Sequence, residues 1–272
     1  MAEPAILYDV KERIATVTFN RPDRLNAFNA ETETGLRQAM ARAAEDEGVR
    51  VIILTGAGRG FCAGADMERL SGAADSRGGN IPREAPTAFA PEARADFRHR
   101  YTYFPAIPKP IIAAVNGPAA GLGLVFACYC DLRFAGSEAI FTTSFARRGL
   151  IAEYGLAWLL PRLVGPGRAA DLLYSARRVA ADEAERIGLA DRVFPQTLFM
   201  PRVLDYAAEL ANAVSPRSLA VMKRQLWAAM LGGLDEAVTL ANEEMRLSFL
   251  SADFKEGVAH FVEKRPARFT GR

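Results

Sequence analysis

Through most of the first half of the chain, hydrophobic residues occur in short runs separated by turn-forming residues. The runs that predict strands are residues 6–10, 14–19, 51–54, 111–115, 131–135 and 139–141. Apolar residues at helical spacing follow Asn29, a favoured N-cap residue, as far as about Glu47, and a second helix is predicted to begin at Gly121. Strand, turn and helix recur about four times between residues 5 and 164, which predicts an α/β fold.

The pattern changes in two other parts of the chain. From residue 168 onward it is mostly helical, with one strand signal at Val193 and Phe194. Residues 71–97 are rich in glycine, proline and charge, which predicts a long loop, and the strand pattern resumes at Ile111. Long loops inside a domain are usually functional lids or disordered segments. We therefore expect one large domain with a helical tail, carrying a lid rather than a linker.

Composition excludes several classes of protein. The 272 residues are half hydrophobic, and a formal net charge of +2 provides no global field for nucleic acid. The three cysteines, Cys62, Cys128 and Cys130, are expected to be reduced thiols, and with two histidines in the chain no metal site is expected. We find no signal peptide and no apolar run long enough for a membrane span, so the protein is expected to be cytoplasmic.

Two glycine-rich segments carry the most specific signal. They are residues 54–66, LTGAGRGFCAGAD, and residues 109–123, KPIIAAVNGPAAGLG. A dinucleotide-binding turn is excluded at Gly121 because Phe126 stands where its third glycine would be, and the first segment lacks the lysine of a phosphate loop. In this order and at this separation, the two segments resemble the signatures of the crotonase (enoyl-CoA hydratase/isomerase) superfamily.

Further matches at residues 20–27, 130–131 and 261–265 extend the resemblance over essentially the whole chain. It implies a crotonase-like spiral of β-β-α units with a helical C-terminal layer. Residues 1–196 would form the spiral core, which holds the CoA and oxyanion site, and residues 197–272 a helical region for trimerisation. The protein would then be a homotrimer or a dimer of trimers.

The resemblance also implies the chemistry of an acyl-CoA thioester whose carbonyl becomes an enolate. Such an oxyanion needs two convergent N–H donors in a dry site. By similarity these are the backbone N–H groups of Ala63 and Leu122, and the helix that opens at Gly121 adds its positive end. No cofactor is implied beyond the coenzyme A of the substrate.

The carboxylates separate two reactions of this family. Hydratases carry two glutamates at positions that correspond here to Val125 and Phe145, so the usual apparatus for activating water is absent. Glu153 lies where some isomerases of the family carry a single catalytic carboxylate. Apolar surroundings would raise its pKa towards that of a base at neutral pH. A Δ3,Δ2-enoyl-CoA isomerase is therefore the leading hypothesis.

Two alternatives stay open: an enoyl-CoA hydratase acting on another acyl-CoA, and a non-catalytic CoA- or RNA-binding member of the fold. For Glu153 the alternative is a surface residue at a helix start. Asp66 either caps a short helix at residues 66–67 or orients the loop.

The resemblance assigns the remaining site residues to binding. Those expected to contact CoA are Arg24, Leu25, Ala27, Ala65, Asp66, Met67, Gly121, Phe261 and Lys264. Phe261 and Lys264 are three apart on the predicted last helix and would share one face. Those expected to line the acyl pocket are Val125, Phe145 and Tyr101.

Overall fold

A mixed six-stranded sheet forms the centre of the molecule in the computed structural model, which describes residues 3–66, 71 and 92–272. The nine strands of these residues are β1 (Ile6–Lys11), β2 (Ile14–Phe19), β3 (Val51–Gly56), β4 (Ile111–Val115), β5 (Ala119–Ala120), β6 (Leu132–Gly136), β7 (Ile140–Thr142), β8 (Val179–Ala180) and β9 (Arg192–Phe194). The large sheet has the order β1-β2-β3-β4-β6-β9, in which β1 is antiparallel to β2 and the other neighbours are parallel.

A second, three-stranded sheet in the order β5-β7-β8 explains the spiral. Strand β4 lies in the large sheet and β5 in the small one, and a helix follows; β6, β7 and the next helix repeat this arrangement. Each unit thus contributes one strand to each sheet before its helix returns the chain. The α/β class and the β-β-α organisation that the resemblance implied are confirmed.

Nine α-helices belong to the described part of the chain. They are α1 (Ala30–Glu45), α2 (Leu122–Tyr129), α3 (Leu156–Val164), α4 (Pro166–Ser175), α5 (Ala181–Ile187), α6 (Phe199–Ala213), α7 (Pro216–Leu231), α8 (Leu234–Leu250) and α9 (Ala252–Glu263). The predicted N-cap is confirmed, because the Asn29 side chain accepts a hydrogen bond from the Thr32 N–H at 2.9 Å.

The large sheet is buried on both faces, as the fully apolar strands predicted. On one face, α6 packs Phe199, Val203 and Ala207 against β3 and β4. The other face belongs to a larger core that includes α1 and α2. Helix α6 therefore completes the core, whereas α8 and α9 leave most of their apolar residues exposed. In the described residues, no helix combines the length and apolar character needed to cross a bilayer.

Three sequence predictions differ from the structure. Helix α1 ends at Glu45 rather than Glu47, and the two-residue strands β5 and β8 were missed because they are too short to give a hydrophobic run. Met67 and most of the predicted lid at residues 71–97 lie outside the described residues.

Candidate active site

The two glycine-rich segments bond directly to each other at one end of the sheets. The Cys62 N–H donates to the Pro118 carbonyl at 3.1 Å, and the Ala120 N–H donates to the Cys62 carbonyl at 2.9 Å. A Cβ atom on Gly123 would lie 2.0 Å from the Cys62 carbonyl oxygen, so only glycine allows this approach. The start of α2 is therefore fixed against residues 62–64.

The oxyanion donor predicted at Ala63 is wrong, because its N–H donates to the Leu25 carbonyl at 3.0 Å. The backbone N–H of Ala65, two residues further on, has no hydrogen-bond acceptor among the described residues. Phe28 pairs with this segment on either side of Ala65, donating to the Gly64 carbonyl at 2.8 Å and accepting from the Asp66 N–H at 3.0 Å. The amide of Ala65 is thus left out of the pairing.

Leu122 supplies a second amide of the same kind. It is the first residue of α2, where backbone N–H groups have no partner within the helix, and none is found for it elsewhere in the described chain. Gly64 has a φ of +91°, and a Cβ atom there would lie 3.6 Å from the Leu122 nitrogen. This main-chain turn, which sequence spacing cannot reveal, places residues 64–65 beside the Leu122 amide.

A small cavity collects these groups together with the predicted carboxylate. Its lining residues are Ala63, Gly64, Ala65, Gly121, Leu122, Ser144, Phe145, Arg148, Leu150 and Glu153. Glu153 is half-buried and is the only carboxylate among the described residues that line this cavity. The structure thus brings together both unpaired amides, Phe145 and Glu153. The sequence analysis did not identify three of the lining residues, Ser144, Arg148 and Leu150. Ser144 precedes Phe145, and the other two lie between Phe145 and Glu153 in the chain.

The main chain around Glu153 is held by the end of α2. Tyr154 adopts a left-handed conformation with φ of +51°, and its carbonyl accepts a hydrogen bond from the Tyr129 hydroxyl at 2.8 Å. Burial raises the pKa of Tyr129 well above its ordinary value, so the hydroxyl stays protonated and can donate. Gly155 accommodates this contact, since a Cβ atom there would lie 2.7 Å from the Tyr129 oxygen.

Two residues predicted for the acyl pocket lie elsewhere. Val125 is fully buried inside α2 and does not line the small cavity. Tyr101 lines a neighbouring aromatic cavity and packs against Tyr154 with ring centroids 4.7 Å apart. Phe145 is the one acyl-pocket residue placed in the small cavity itself.

The segment predicted to contact CoA near the N-terminus is tied to the first glycine-rich segment. Arg21 forms an ion pair with Asp66 at 2.8 Å and also donates to the Ala27 carbonyl. Asp66 therefore orients the loop. Its alternative role as a helix cap depends on residues that begin at Met67, which lies outside the described residues. Leu25 has a left-handed backbone, and Arg24 is exposed.

The predicted pairing of Phe261 with Lys264 on one helix face is wrong. Helix α9 ends at Glu263, and Lys264 is its C-cap with a left-handed φ of +52°. The Arg265 N–H reaches back to the His260 carbonyl at 3.2 Å, which closes the last turn and directs the chain away from the helix. Phe261 and Lys264 are both exposed, and neither lines the small cavity.

The cysteines have the properties of buried apolar residues. Burial raises the pKa of the Cys62 and Cys128 thiols to about 12, so both are protonated and poor nucleophiles at neutral pH. Within residues 3–66, 71 and 92–272, no three His, Cys, Asp or Glu side chains are grouped as a metal site would require.

Comparisons with known proteins agree with this site. The family model described as enoyl-CoA hydratase/isomerase matches residues 9–272. The chain is 34% identical to 1,2-epoxyphenylacetyl-CoA isomerase of Escherichia coli over 98% of both chains. It is also 34% identical to crotonyl-CoA hydratase of Syntrophomonas wolfei over the full length of both.

Solved structures give the same result. The crystal structure of the enoyl-CoA hydratase EchA1 from Mycobacterium marinum matches with a TM-score of 0.85 and 30% identity, covering 99% of this chain and 100% of the other. A family model that spans nearly the whole chain, together with relatives of equal length, leaves one assignment. The protein belongs to the enoyl-CoA hydratase/isomerase family, which is part of the crotonase superfamily.

Proposed function

We propose that the protein is an acyl-CoA isomerase that moves the double bond of a 3-enoyl-CoA to position 2. The observation that carries the proposal is the single carboxylate, Glu153, in a cavity with the unpaired N–H groups of Ala65 and Leu122. These are the parts that a one-base proton shift next to a thioester requires.

The proposed reaction uses all three of these groups. The thioester carbonyl accepts hydrogen bonds from the Ala65 and Leu122 amides, and the N-terminus of α2 favours the negative charge that forms on that oxygen. The Glu153 carboxylate removes a proton from the carbon next to the carbonyl. The electron pair moves through the dienolate, and Glu153 returns the proton at the γ carbon. No water is consumed, and the carboxylate ends in its starting state.

The CoA moiety is proposed to follow the segment that Arg21 and Asp66 tie together. Arg24, Leu25 and Ala27 lie on one side of this contact and Ala65 on the other. Arg24 is exposed and offers a guanidinium for a phosphate group. Phe261 and Lys264 are exposed at the end of α9, and we propose that they contact CoA bound by a neighbouring subunit of a homotrimer.

A hydratase remains the second candidate, because the relatives include a crotonyl-CoA hydratase of equal length. Water would then be activated by Glu153 alone. Among the described residues, the cavity has no second carboxylate, and Phe145 occupies one of the two positions where hydratases carry theirs. A non-catalytic CoA- or RNA-binding role does not require Glu153 to share a cavity with two unpaired amides.

A comparison of products tests the proposal. The protein is incubated separately with a 3-enoyl-CoA and with the 2-enoyl-CoA of the same length, and the products are separated by chromatography. We expect conversion of the 3-enoyl-CoA to be much faster than hydration. A 3-hydroxyacyl-CoA formed from the 2-enoyl-CoA faster than the double bond shifts would instead establish the hydratase.

The role of Glu153 is tested by Glu153→Gln, which keeps the shape of the side chain and removes the base. The turnover number should fall by about 10²- to 10⁴-fold while CoA-thioester binding stays nearly unchanged. The matched control is Glu138→Gln at an exposed glutamate outside the cavity, which should leave the rate unaltered. A Glu153→Gln enzyme with more than about a tenth of the parent rate would contradict a one-base mechanism.

A further inference from the structure

A second cavity, of about 300 Å³, lies beside the proposed catalytic cavity and is walled largely by aromatic rings. Six aromatic residues of the described part of the chain line it: Phe97, Tyr101, Tyr129, Tyr154, Trp158 and Trp227. They come from three helices, the turn after Glu153 and the segment at residues 97–101. Apart from Tyr129, which holds the main chain beside Glu153, the function proposed above leaves these aromatic side chains without a role.

The aromatic side chains form one connected cluster around Trp227. The indole of Trp227 lies nearly parallel to the rings of Tyr129 and Trp158, with centroids 6.5 and 6.4 Å away, and Phe97 meets it edge-on at 6.0 Å. Aromatic rings attract a further ring by edge-to-face and offset contacts, beyond the effect of burying apolar area. The wall of the cavity is therefore built from packed aromatic rings.

Two of the charged residues that line this cavity are engaged elsewhere, and its one histidine, His99, is exposed. Arg100 makes two hydrogen bonds to the Glu33 carboxylate, and Asp96 pairs with Arg94 at 3.2 Å. Neither is available to neutralise a charged ligand. The cavity thus suits an uncharged, apolar group.

The two cavities share the turn at residues 153–155. Glu153 lines the small cavity, whereas Tyr154 and Gly155 line the aromatic one. Because Tyr154 directly follows Glu153 in the chain, the two cavities border the same short stretch of main chain. The position is right for the distal end of an acyl group whose thioester is held at Ala65 and Leu122.

We propose that the aromatic cavity binds a ring carried by the acyl group, and that the substrates are aryl-substituted acyl-CoA thioesters. This inference rests on the proposed function, because it assigns the acyl part of that substrate. Size agrees with it: an apolar cavity of about 150 Å³ is already large enough for benzene, so 300 Å³ holds a phenyl ring and part of its linker.

Binding of saturated thioesters tests this separately from the reaction, since they cannot isomerise. Isothermal titration calorimetry would compare 5-phenylpentanoyl-CoA, 5-cyclohexylpentanoyl-CoA and undecanoyl-CoA, which have the same number of acyl carbons. The dissociation constant of the phenyl compound should be about threefold to tenfold lower than that of either other compound. Equal affinities would overturn the inference and leave the isomerase proposal untouched.

Substitutions in the cavity wall test whether the phenyl ring of the thioester binds there. Trp158→Leu removes a half-buried indole from the cavity wall and should reduce the preference for phenyl to within about twofold, with undecanoyl-CoA bound as before. Tyr174→Leu is the matched control, because Tyr174 is an exposed aromatic residue outside the cavity, and it should keep the preference.

Phe97→Leu provides a second wall variant if Trp158→Leu does not fold. A phenyl preference that persists in a folded wall variant would place the ring elsewhere and overturn the inference. If none of the three thioesters binds the parent protein, both the inference and the proposed function fail. If all three bind but no 3-enoyl-CoA is converted, only the proposed function fails.

Discussion

Helices α2 and α8 represent two ways of holding a helix in place. All eight residues of α2 are buried, and its neighbours fit so closely that Gly123 has no room for a methyl group. Helix α8 has 17 residues, of which only Glu244 is buried. Glu244 bonds to Arg217 and Arg224, both on α7. Shape fixes the first helix, whereas hydrogen bonds and ion pairs fix the second.

The same difference extends to the whole C-terminal arm, by which we mean residues 216–272. Leu234, Phe249, Leu250 and Phe261 are all more than half exposed on this arm. Large exposed apolar surfaces usually mark interaction sites. The arm therefore presents exposed apolar surface of the kind found at interaction sites, and we propose that a homotrimer covers it.

The largest expected effect comes from filling the space at Gly123. Gly123→Ala would place a methyl group 2.0 Å from the Cys62 carbonyl oxygen, where backbone must move. We expect a loss of about 3 kcal/mol in the free energy of unfolding and a severe loss of activity. Urea denaturation and steady-state kinetics measure the two effects.

Gly167→Ala is the control for this prediction. Gly167 lies in the first turn of α4 with open space around it, so alanine should stabilise the protein slightly, by about 0.5 kcal/mol. If Gly123→Ala proved as stable and active as Gly167→Ala, close packing would not be what fixes α2.

A smaller effect is expected from the buried carboxylate of the arm. Asp253 is 4% exposed and accepts hydrogen bonds from the Ser215 hydroxyl at 2.6 Å and from the Thr270 N–H at 2.7 Å. Asp253→Asn should lower the free energy of unfolding by about 2 kcal/mol, because these bonds are made to a charged acceptor. Asp9→Asn, at an exposed aspartate, is the control. Equal stability of the two variants would mean that polar contacts do not hold the arm.

The smallest effect depends on pH. Hydrogen bonds from the Arg265 side chain and the Arg268 N–H lower the pKa of Glu256 from 4.5 to about 2. Because the folded-state pKa is the lower one, the stabilisation is fully present above about pH 4.5 and is lost as the pH falls towards 2. The melting temperature of Glu256→Gln should therefore lie slightly below that of the parent at neutral pH.

This difference should shrink as the pH falls from 4.5 towards 2. The control is Glu243→Gln, since Glu243 is exposed and forms no ion pair within the described chain. A constant difference across this pH range would mean that the Glu256 carboxylate contributes nothing as a charge.

Local sequence was sufficient for much of the fold. The apolar runs predicted the central strands, and Asn29 marked the start of α1, because burial on both faces and capping act over a few residues. The spiral arrangement of the β-β-α units was predicted from the resemblance to the crotonase superfamily, because hydrophobic periodicity alone does not predict it. Strands β5 and β8 have two residues each and pair with β7 in the small sheet. Such short strands give no local hydrophobic pattern from which they could be predicted.

The candidate site shows a similar division. Leu122 and Glu153 were predicted from motif position, and the structure places them around one cavity. That the amide of Ala65, and not that of Ala63, has no acceptor in the described residues could not be predicted, because it depends on the turn at Gly64 and on which amide Leu25 engages. The aromatic cavity joins residues as distant in the chain as Phe97 and Trp227, a contact that no spacing reveals.

Helix α2 also fixes a distance within the candidate site. Its first residue, Leu122, carries one unpaired amide, and its last residue, Tyr129, holds the main chain next to Glu153. Eight residues span about 12 Å, and this length cannot change without unwinding a buried helix. The separation between the Leu122 amide and the main chain beside Glu153 is therefore fixed by the length of the helix.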